Sequence, residues 1–268
     1  MKRIICLIIL FFVCCLLIAL SNICGIWWLS LIGTLSEMLL GCIFSIAFDY
    51  ILTSGNRFKM VLQSLKYYNK EIRLSFSYLF CIEIEGKYLL VKGNRLKSQY
   101  QPIGGVYKYY PEAIPTLEGF EYRSDVRMGN NTETDDLRIK IKGKYLLKYM
   151  NWFLSMENRE YDPYREFKEE LLDSGLLSEE CFRTLKYRKI LVHNSGVQFS
   201  KYLQCNELVY ADIFKLILDK KQTEIIKEAV QRFPEQLCLA SDDELISECY
   251  NGLQKNLGNN AKWLIGGE

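Results

Sequence analysis

The chain has 268 residues, enough for one large domain or two small ones, and its 34 Lys and Arg nearly balance 32 Asp and Glu, for a net charge of +2. So little net charge excludes the strongly basic surface that is typical of a DNA-binding protein. The average conceals two parts, because no charged residue occurs from Ile4 to Ser36, whereas the chain beyond Asp49 is polar, charged and rich in aromatic residues. The sequence therefore predicts an apolar N-terminal segment followed by one globular domain.

The apolar segment predicts a transmembrane α-hairpin. About 20 residues cross the ~30 Å hydrocarbon core of a bilayer, so the uncharged run is too long for one span. The polar break at residues 21–25 divides it into predicted helices over about 4–20 and 26–48. A cleaved signal peptide is the alternative for the first run. However, the apolar character resumes within a few residues and Ala19-Leu20-Ser21 is a poor cleavage site, which favours two spans.

Basic residues set the expected orientation of the hairpin. Lys2 and Arg3 precede the first predicted helix, and four basic residues follow the second, namely Arg57, Lys59, Lys66 and Lys70. Cytoplasmic flanks of membrane spans carry the excess of Lys and Arg. We therefore expect both termini in the cytoplasm, with residues 51–72 forming a juxtamembrane connector helix.

Small residues recur along the second predicted helix. Gly33, Glu37, Gly41 and Ser45 follow one another at four-residue intervals, so that neighbours in this series share a helix face. Small residues at this spacing let helices approach closely, and a carboxylate within a bilayer faces a partner or water. The pattern predicts a membrane interface or pore lining. A Glu hydrogen-bonded inside the hairpin is the alternative.

The ten cysteines favour neither disulfides nor zinc. Half of them lie in the apolar segment, and the others are scattered singly from Cys81 to Cys249, with no CxxC pair and one histidine in the sequence. Disulfide frameworks and zinc sites need recognisable spacings. A reduced, cytosolic domain is the simplest interpretation.

The globular part predicts a mixture of strands and helices. Alternating apolar and polar residues predict strands over 74–85 and 88–92, and a pair of strands over 185–192 and 197–205 around Asn194-Ser195-Gly196. Apolar residues at helical spacing predict helices near 144–156, 164–172, 212–220, 223–233 and 242–257. Interleaved strands and helices indicate an α/β or α+β domain.

The sharpest local pattern is Arg165-Glu166-Phe167-Lys168-Glu169-Glu170. On a helix Glu166 lies three positions from Glu169 and four from Glu170, so the three carboxylates crowd one face and repel one another. Hard divalent cations such as Mg²⁺ or Mn²⁺ prefer oxygen ligands and would relieve that repulsion. A solvated acidic face near a helix N-terminus is the alternative interpretation.

With its flanks, this pattern resembles the Nudix box: a Gly, five residues, a Glu, seven residues, and then Arg-Glu-apolar-x-Glu-Glu-x-Gly. Glu157 stands at the position of the upstream Glu. Asn151 and Leu172 stand where the box has Gly, and the double glycine that precedes the box is Gly104-Gly105. We therefore interpret residues from about 106 to 150 as an insertion that splits the box.

The Nudix resemblance implies metal-dependent cleavage of a nucleoside diphosphate derivative. The implied ligands of Mg²⁺ or Mn²⁺ are Glu157, Glu166, Glu169 and Glu170. Arg165 and Glu166 would be the catalytic residues of a hydrolase, with Arg165 orienting the carboxylates through charge-assisted hydrogen bonds. The split box and the missing closing Gly argue against an enzyme, and we leave the assignment open.

Two predicted spans followed by a Nudix-like domain over 73–268 are similar to the two-transmembrane SMODS-associated Nudix effectors of bacterial CBASS antiphage defence. This resemblance implies an α/β domain with a mixed sheet between helices. It also implies a homo-oligomeric effector in the bacterial inner membrane that senses a cyclic oligonucleotide, the product of a nucleotidyltransferase, and disrupts the lipid bilayer, which kills the cell. A membrane-anchored Nudix hydrolase and a scaffold for a protein partner are the alternatives.

Ligand-binding residues are predicted on either side of the double glycine. The basic residues that flank the double glycine can bind phosphates, and the tyrosine after it can stack on a base. The predicted residues are Lys92, Arg95, Lys97, Gly104, Gly105, Tyr107 and Lys108. A solvated basic loop with buried tyrosines is the alternative. His193 is interpreted as a strand residue, since no Ser or Cys motif lies near it in the sequence.

Overall fold

The computed structural model describes residues 10–20, 32–43, 45, 55–93, 99–125, 135–254 and 256–265. The chain forms two compact units, Met1–Leu62 and Gln63–Glu268. Helix α3, Gly55–Lys66, lies within the predicted connector, of which residues 51–54 are outside the described part.

The first unit contains two short helical stretches, α1 at residues 10–20 and α2 at residues 32–43. Both lie inside the predicted spans 4–20 and 26–48, whose remaining residues are largely outside the described part. In the parts of the chain that are described, no helix is at once long and apolar enough to cross a bilayer. The transmembrane hairpin therefore stays a prediction. Of the residues predicted at its interface, Gly33 is buried and the other three, Glu37, Gly41 and Ser45, are exposed.

The second unit is built on a six-stranded mixed sheet. The spatial order is β6 (Arg123–Ser124), β7 (Arg138–Lys142), β1 (Glu71–Cys81), β9 (Cys205–Leu216) and β8 (Tyr187–Ser200). A short strand, β5 (Gly104–Val106), continues along the same edge of β1 as β7. β1 and β9 run parallel, and the other described pairs of this sheet are antiparallel. The expectation of a mixed α/β sheet is confirmed.

Two smaller sheets and several helices complete the second unit. The four-stranded sheet contains β2 (Glu83–Ile84), β3 (Lys87–Lys92), β4 (Tyr100–Gln101) and β10 (Leu237–Ala240), and the third sheet is a hairpin of β11 (Cys249–Tyr250) and β12 (Leu253–Gln254). The helices are α4 (Ile114–Glu118), α5 (Leu146–Ser155), α6 (Tyr164–Phe167), α7 (Glu179–Phe182), α8 (Lys220–Arg232) and α9 (Asp242–Ser247). α6 continues as a π-helical turn, Lys168–Leu172, and a 3₁₀ turn, Ala261–Leu264, lies near the C-terminus.

The central strand β1 has an apolar face and a polar face, because successive side chains of a strand point to opposite sides. The apolar face carries fully buried side chains, among them Leu74, Phe76 and Phe80. Phe76 packs against Tyr149 of α5, with ring centroids 5.1 Å apart. Ser75 and Ser77 alternate with these residues, so a polar strip runs along the other face of the sheet.

Helix α6 and the π turn are fixed against the sheet by one apolar side. Phe167 and Leu171 are fully buried, and the Phe167 ring lies 5.6 Å from that of Phe80. Because this side packs into the core, Glu166, Glu169 and Glu170 lie on the other sides of the same helical stretch.

Two of the predicted elements are wrong, namely the hairpin around Asn194-Ser195-Gly196 and the helix over 212–220. The pair predicted over 185–192 and 197–205 is one strand, β8, whose hairpin with β9 turns at residues 201–204. Asn194-Ser195-Gly196 forms an irregularity inside β8, where Gly196 takes φ +63° and the Ser195 hydroxyl accepts from the N–H of Val209. Residues 212–216 of the predicted helix 212–220 are instead the end of β9, which pairs on both sides and is thereby held extended.

The predicted C-terminal helix 242–257 ends early. α9 stops at Ser247, and Glu248 takes a left-handed φ of 56°. Asn251 and Gly252 also have positive φ, at 50° and 74°, and turn the chain between β11 and β12. Asn-Gly favours this type of hairpin turn. The Asn-Gly pair is visible in the sequence, but the apolar residues around it recur at helical spacing, so the segment was predicted to be a helix.

The segment predicted to be an insertion supplies part of the main sheet. β7 pairs with the first half of β1, and the buried side chains Leu137, Ile139 and Ile141 join the core. Residues 126–134 of this segment are outside the described part.

Candidate functional site

The acidic helix lies directly against the double glycine of β5. The backbone N–H of Gly104 donates to Oε2 of Glu170 at 3.1 Å. A side chain at Gly105 would have its Cβ 1.9 Å from Oε1 of Glu166. The two glycines therefore allow the carboxylates to approach the strand backbone.

The two glycines are needed for different reasons. Gly104 has a φ of +150°, and a Cβ there would lie 2.2 Å from the carbonyl oxygen of Tyr78 on β1. A larger residue at this position would thus break the β1–β5 pairing. At Gly105 the three nearest atoms all belong to the Glu166 side chain, so this position controls where the carboxylate can lie.

Arg165 holds the carboxylates in place. Its Nη1 donates to Oε1 of Glu166 at 2.6 Å, and its Nε donates to Oε1 of Glu160 at 2.8 Å. Its Nη2 donates to the carbonyl oxygen of Val106 at 3.0 Å. Glu169 is 3.5 Å from the same guanidinium. Arg165 thereby ties the helix, the strand β5 and the preceding loop together, which matches the orienting role that the Nudix resemblance implies.

The loop before α6 is anchored by Arg159, which is nearly fully buried. Its guanidinium lies 3.8 Å from the ring centroid of Phe153 and 4.9 Å from that of Tyr107, within the range of cation–π attraction. Its Nε donates to the carbonyl oxygen of Phe153 at 2.7 Å. This anchoring fixes the adjacent Glu160 beside Arg165.

Burial changes the protonation of two of these carboxyl groups. It raises the pKa of Glu166, although the neighbouring Arg165 acts in the opposite direction. Burial and then the adjacent Glu166 charge raise the pKa of Glu170 to about 8, against the stabilising N–H of Gly104. Near neutral pH Glu170 is therefore mostly a carboxylic acid, which both donates and accepts hydrogen bonds.

The carboxylates form one wall of a cleft of about 400 Å³, a volume in the range of small-molecule sites. Its floor is the polar face of the main sheet, with Ser75 and Ser77 of β1 and Val209 of β9. Asn260 and Trp263, close to the C-terminus, line another side. A second cavity of about 370 Å³ shares Glu169 and Glu170 with the cleft.

The structure brings some of the predicted site residues together and separates others. Glu166, Glu169, Glu170, Gly104 and Gly105 all line the cleft. Lys92 lines the second cavity instead. Arg95 and Lys97 are outside the described residues.

The remaining predicted site residues lie elsewhere. Tyr107 is buried, and its hydroxyl donates to Oδ2 of Asp212 at 2.8 Å. Lys108 forms an ion pair with Asp135 at 3.5 Å. Glu157 is exposed in the turn after α5 and lies outside the lining of both described cavities.

Sequence reasoning missed two parts of the site. Glu160 pairs with Arg165 but was not predicted, because the box spacing singled out Glu157 instead, as a metal ligand. Trp263 carries no local motif, and it reaches the cleft only through the packing of the last 3₁₀ turn.

The same geometry decides whether a metal ion fits among these carboxylates. Across the described ranges, no three carboxylate, imidazole or thiolate side chains converge closely enough to hold one. Glu166 is engaged by Arg165, and one oxygen of Glu170 accepts from Gly104. The predicted set of four Glu ligands is thus not assembled here, and we derive no step through a metal.

Comparison with known proteins identifies the domain. No curated protein and no solved structure matches the chain. A family model described as the SMODS-associated NUDIX domain matches residues 71–265, well over half of the 268-residue chain. The match begins with β1 and includes the double glycine, the acidic helix and Trp263. The chain belongs to the SMODS-associated NUDIX domain family.

Proposed function

We propose that this protein is a membrane effector of a CBASS-type bacterial antiviral system. Its Nudix-like domain senses a cyclic oligonucleotide made by a nucleotidyltransferase, and its N-terminal helices then disrupt the inner membrane and cause cell death. The observation that carries the proposal is the cleft between the polar face of the sheet and the acidic helix, in a domain of this family.

The cleft has the features of a pre-formed ligand site. Its glycine strand and acidic helix are fixed to each other by Arg165, by the Gly104 hydrogen bond and by the buried side of the helix. A ligand that prefers one arrangement of these elements shifts the population toward it. In the proposal this shift promotes assembly of several copies in the membrane, where the N-terminal helices act.

Calorimetry tests the sensor. We expect the full-length protein, in detergent, to bind at least one cyclic di- or trinucleotide and to bind the corresponding linear dinucleotide more weakly. Gly105→Ala is the matched variant, because it displaces Glu166 at the cleft and leaves β1 untouched. If a folded wild-type protein binds none of the cyclic oligonucleotides, the sensor proposal is wrong.

A membrane-anchored hydrolase of a nucleotide diphosphate is the second candidate. The observation in its favour is that Arg165 still orients Glu166 and that the last box carboxylate, Glu170, lines the same cleft. A hydrolase would use Mg²⁺ or Mn²⁺, and Glu170→Gln would remove most of its activity, because losing a metal-bound carboxylate costs several kcal/mol of charge stabilisation. Metal-dependent turnover that disappears in Glu170→Gln together with the cellular phenotype would replace the sensor with the enzyme.

A further inference from the structure

Trp263 presents a fixed aromatic surface to the cleft. It lies in the 3₁₀ turn Ala261–Leu264, whose first and last residues are buried in the core. Its indole stacks on the imidazole of His193, with centroids 3.9 Å apart and planes 10° from parallel. The imidazole covers one face of the indole, and the Trp263 side chain, which also packs on the C-terminal core cluster, lines the cleft.

The charge of the cleft favours a particular orientation of a nucleotide. Four of the described lining side chains are acidic, namely Asp136, Glu166, Glu169 and Glu170. Arg138 is basic, but it already lies 3.4 Å from Asp136. A phosphodiester placed deep in this cleft would meet charges of its own sign.

A nucleobase suits the same surroundings. Carboxylates accept hydrogen bonds from the amino groups of bases, and the side chains of Glu166, Glu169 and Glu170 line the cleft where they can do so. Stacking of a base on an aromatic side chain is worth about 1–3 kcal/mol. The polar strip of Ser75 and Ser77 completes the floor beneath it.

We propose that the ligand enters base first: one amino-bearing nucleobase stacks on Trp263, its amino group donates to the carboxylates of the acidic helix, and the phosphodiester stays toward the solvent. This inference rests on the proposed sensing function and names the part of the ligand that the cleft recognises. Trp263 is then a binding residue that stacks on the base, the carboxylates select for the amino group, and His193 is a positioning residue that holds the indole.

Two measurements on the full-length protein in detergent, in EDTA, test this inference. The first compares cyclic di-GMP with its inosine analogue, and cyclic di-AMP with its purine-riboside analogue, pairs that differ in the exocyclic amino groups. We expect each analogue to bind at least about fivefold more weakly than a parent that binds, because a lost amino contact leaves a carboxylate without its donor. Equal affinity within both pairs overturns the proposal, and so does binding that requires added Mg²⁺.

The second measurement replaces the indole. Trp263→Leu should weaken binding by about 5- to 150-fold, whereas Trp263→Phe should retain most of the affinity. Tyr250→Leu is the matched control, since Tyr250 packs on the same core cluster as Trp263 but is not part of the described cleft lining. Thermal melting checks that each variant is folded, and Trp263→Phe keeps the test valid if the leucine variant is not.

The outcomes separate this inference from the proposed function. If the wild type binds no cyclic oligonucleotide, both fail. If the wild type binds and Trp263→Leu binds equally well, the sensor stands and base stacking on Trp263 is wrong.

Discussion

At the residue scale, Gly104 and Gly105 are neighbours with different tasks. A Cβ at Gly104 would meet the backbone of β1, and the atoms nearest to a Cβ at Gly105 would be those of the Glu166 side chain. A backbone cannot move aside without breaking strand pairing, whereas a carboxylate can rotate. Gly104 is thus required for the pairing of β1 with β5, and Gly105 leaves room for the Glu166 carboxylate at the site.

This difference predicts two distinct phenotypes. Gly104→Ala should lower the free energy of unfolding by roughly 2 kcal/mol or more, since it combines a strained φ with a clash. Gly105→Ala should cost less stability but should weaken ligand binding, because Glu166 is pushed away from Arg165. Chemical denaturation and calorimetry measure the two effects. Equal loss of stability in both variants would contradict the assignment.

Glu170 makes stability depend on pH. Its pKa is raised to about 8 in the folded protein from an ordinary value near 4.5, so between these pH values the folded state binds a proton that the unfolded state has released. Stability should therefore fall as the pH rises through this window. Glu170→Gln imitates the protonated form and keeps the acceptor for Gly104.

We accordingly expect the free energy of unfolding of Glu170→Gln to equal that of the wild type at pH 5 and to be roughly 2–4 kcal/mol higher at pH 9. Urea denaturation at the two pH values measures this. A difference that is the same at both would mean that Glu170 ionises normally.

Glu160 and Glu157 both precede the acidic helix, and a matched pair of variants distinguishes their contributions to stability. Glu160→Gln weakens two hydrogen bonds to Arg165 and should cost about 1–3 kcal/mol of unfolding free energy. Glu157→Gln alters an exposed side chain and should stay within about 0.5 kcal/mol of the wild type. The opposite order would contradict a stabilising ion pair between Glu160 and Arg165.

At the element scale, the sequence predicted best where local pattern and tertiary pairing agree. β1 and β3 follow from alternation, and α5, α6 with its π turn, and α8 lie close to their predicted ranges. β9 could not be predicted from its own residues, because its extended form depends on pairing with β1 and β8. The carboxylates of the site were visible in one helix, but Glu160 and Trp263 arrive through loops whose paths only packing decides.

Helix α8 illustrates a local signal that was available. Asp219 accepts from the N–H of Gln222 at 2.8 Å, and the Gln222 side chain accepts in return from the N–H of Asp219. This capping box starts the helix at Lys220, three residues before the predicted start.

Asp219→Ala should lower the free energy of unfolding by about 1 kcal/mol. Glu228→Ala, exposed on the same helix, is the control and should change stability by less than about 0.5 kcal/mol. Equal effects would mean that the cap contributes nothing.

At the scale of the whole molecule, the proposed functions of the two units rest on different kinds of observation. The unit Gln63–Glu268 contains the whole of the family match and the entire cleft. The membrane role of Met1–Leu62 rests on hydropathy, charge and the spacing of Gly33, Glu37 and Gly41 in the sequence. Linking the two therefore needs an experiment in which ligand binding is read out at a membrane.

Within the N-terminal unit, variants at Gly41 and Glu37 test two proposed roles, the assembly of helices and the lining of a hydrated pathway. Gly41→Leu should block close approach of helices and abolish membrane damage, while nucleotide binding stays unchanged. Glu37→Leu should preserve insertion and impair a pathway lined by carboxylates. Wild-type leakage from both variants would mean that this face is only an internal packing seam of the hairpin.

The most direct measurement is dye release from liposomes that contain the full-length protein, with cyclic oligonucleotides added outside or inside. We predict no release without ligand, rapid release with a cyclic oligonucleotide that binds in calorimetry, and loss of that response in Gly105→Ala. Release that is independent of the ligand, or tight binding that never causes release, would contradict a ligand-gated membrane effector.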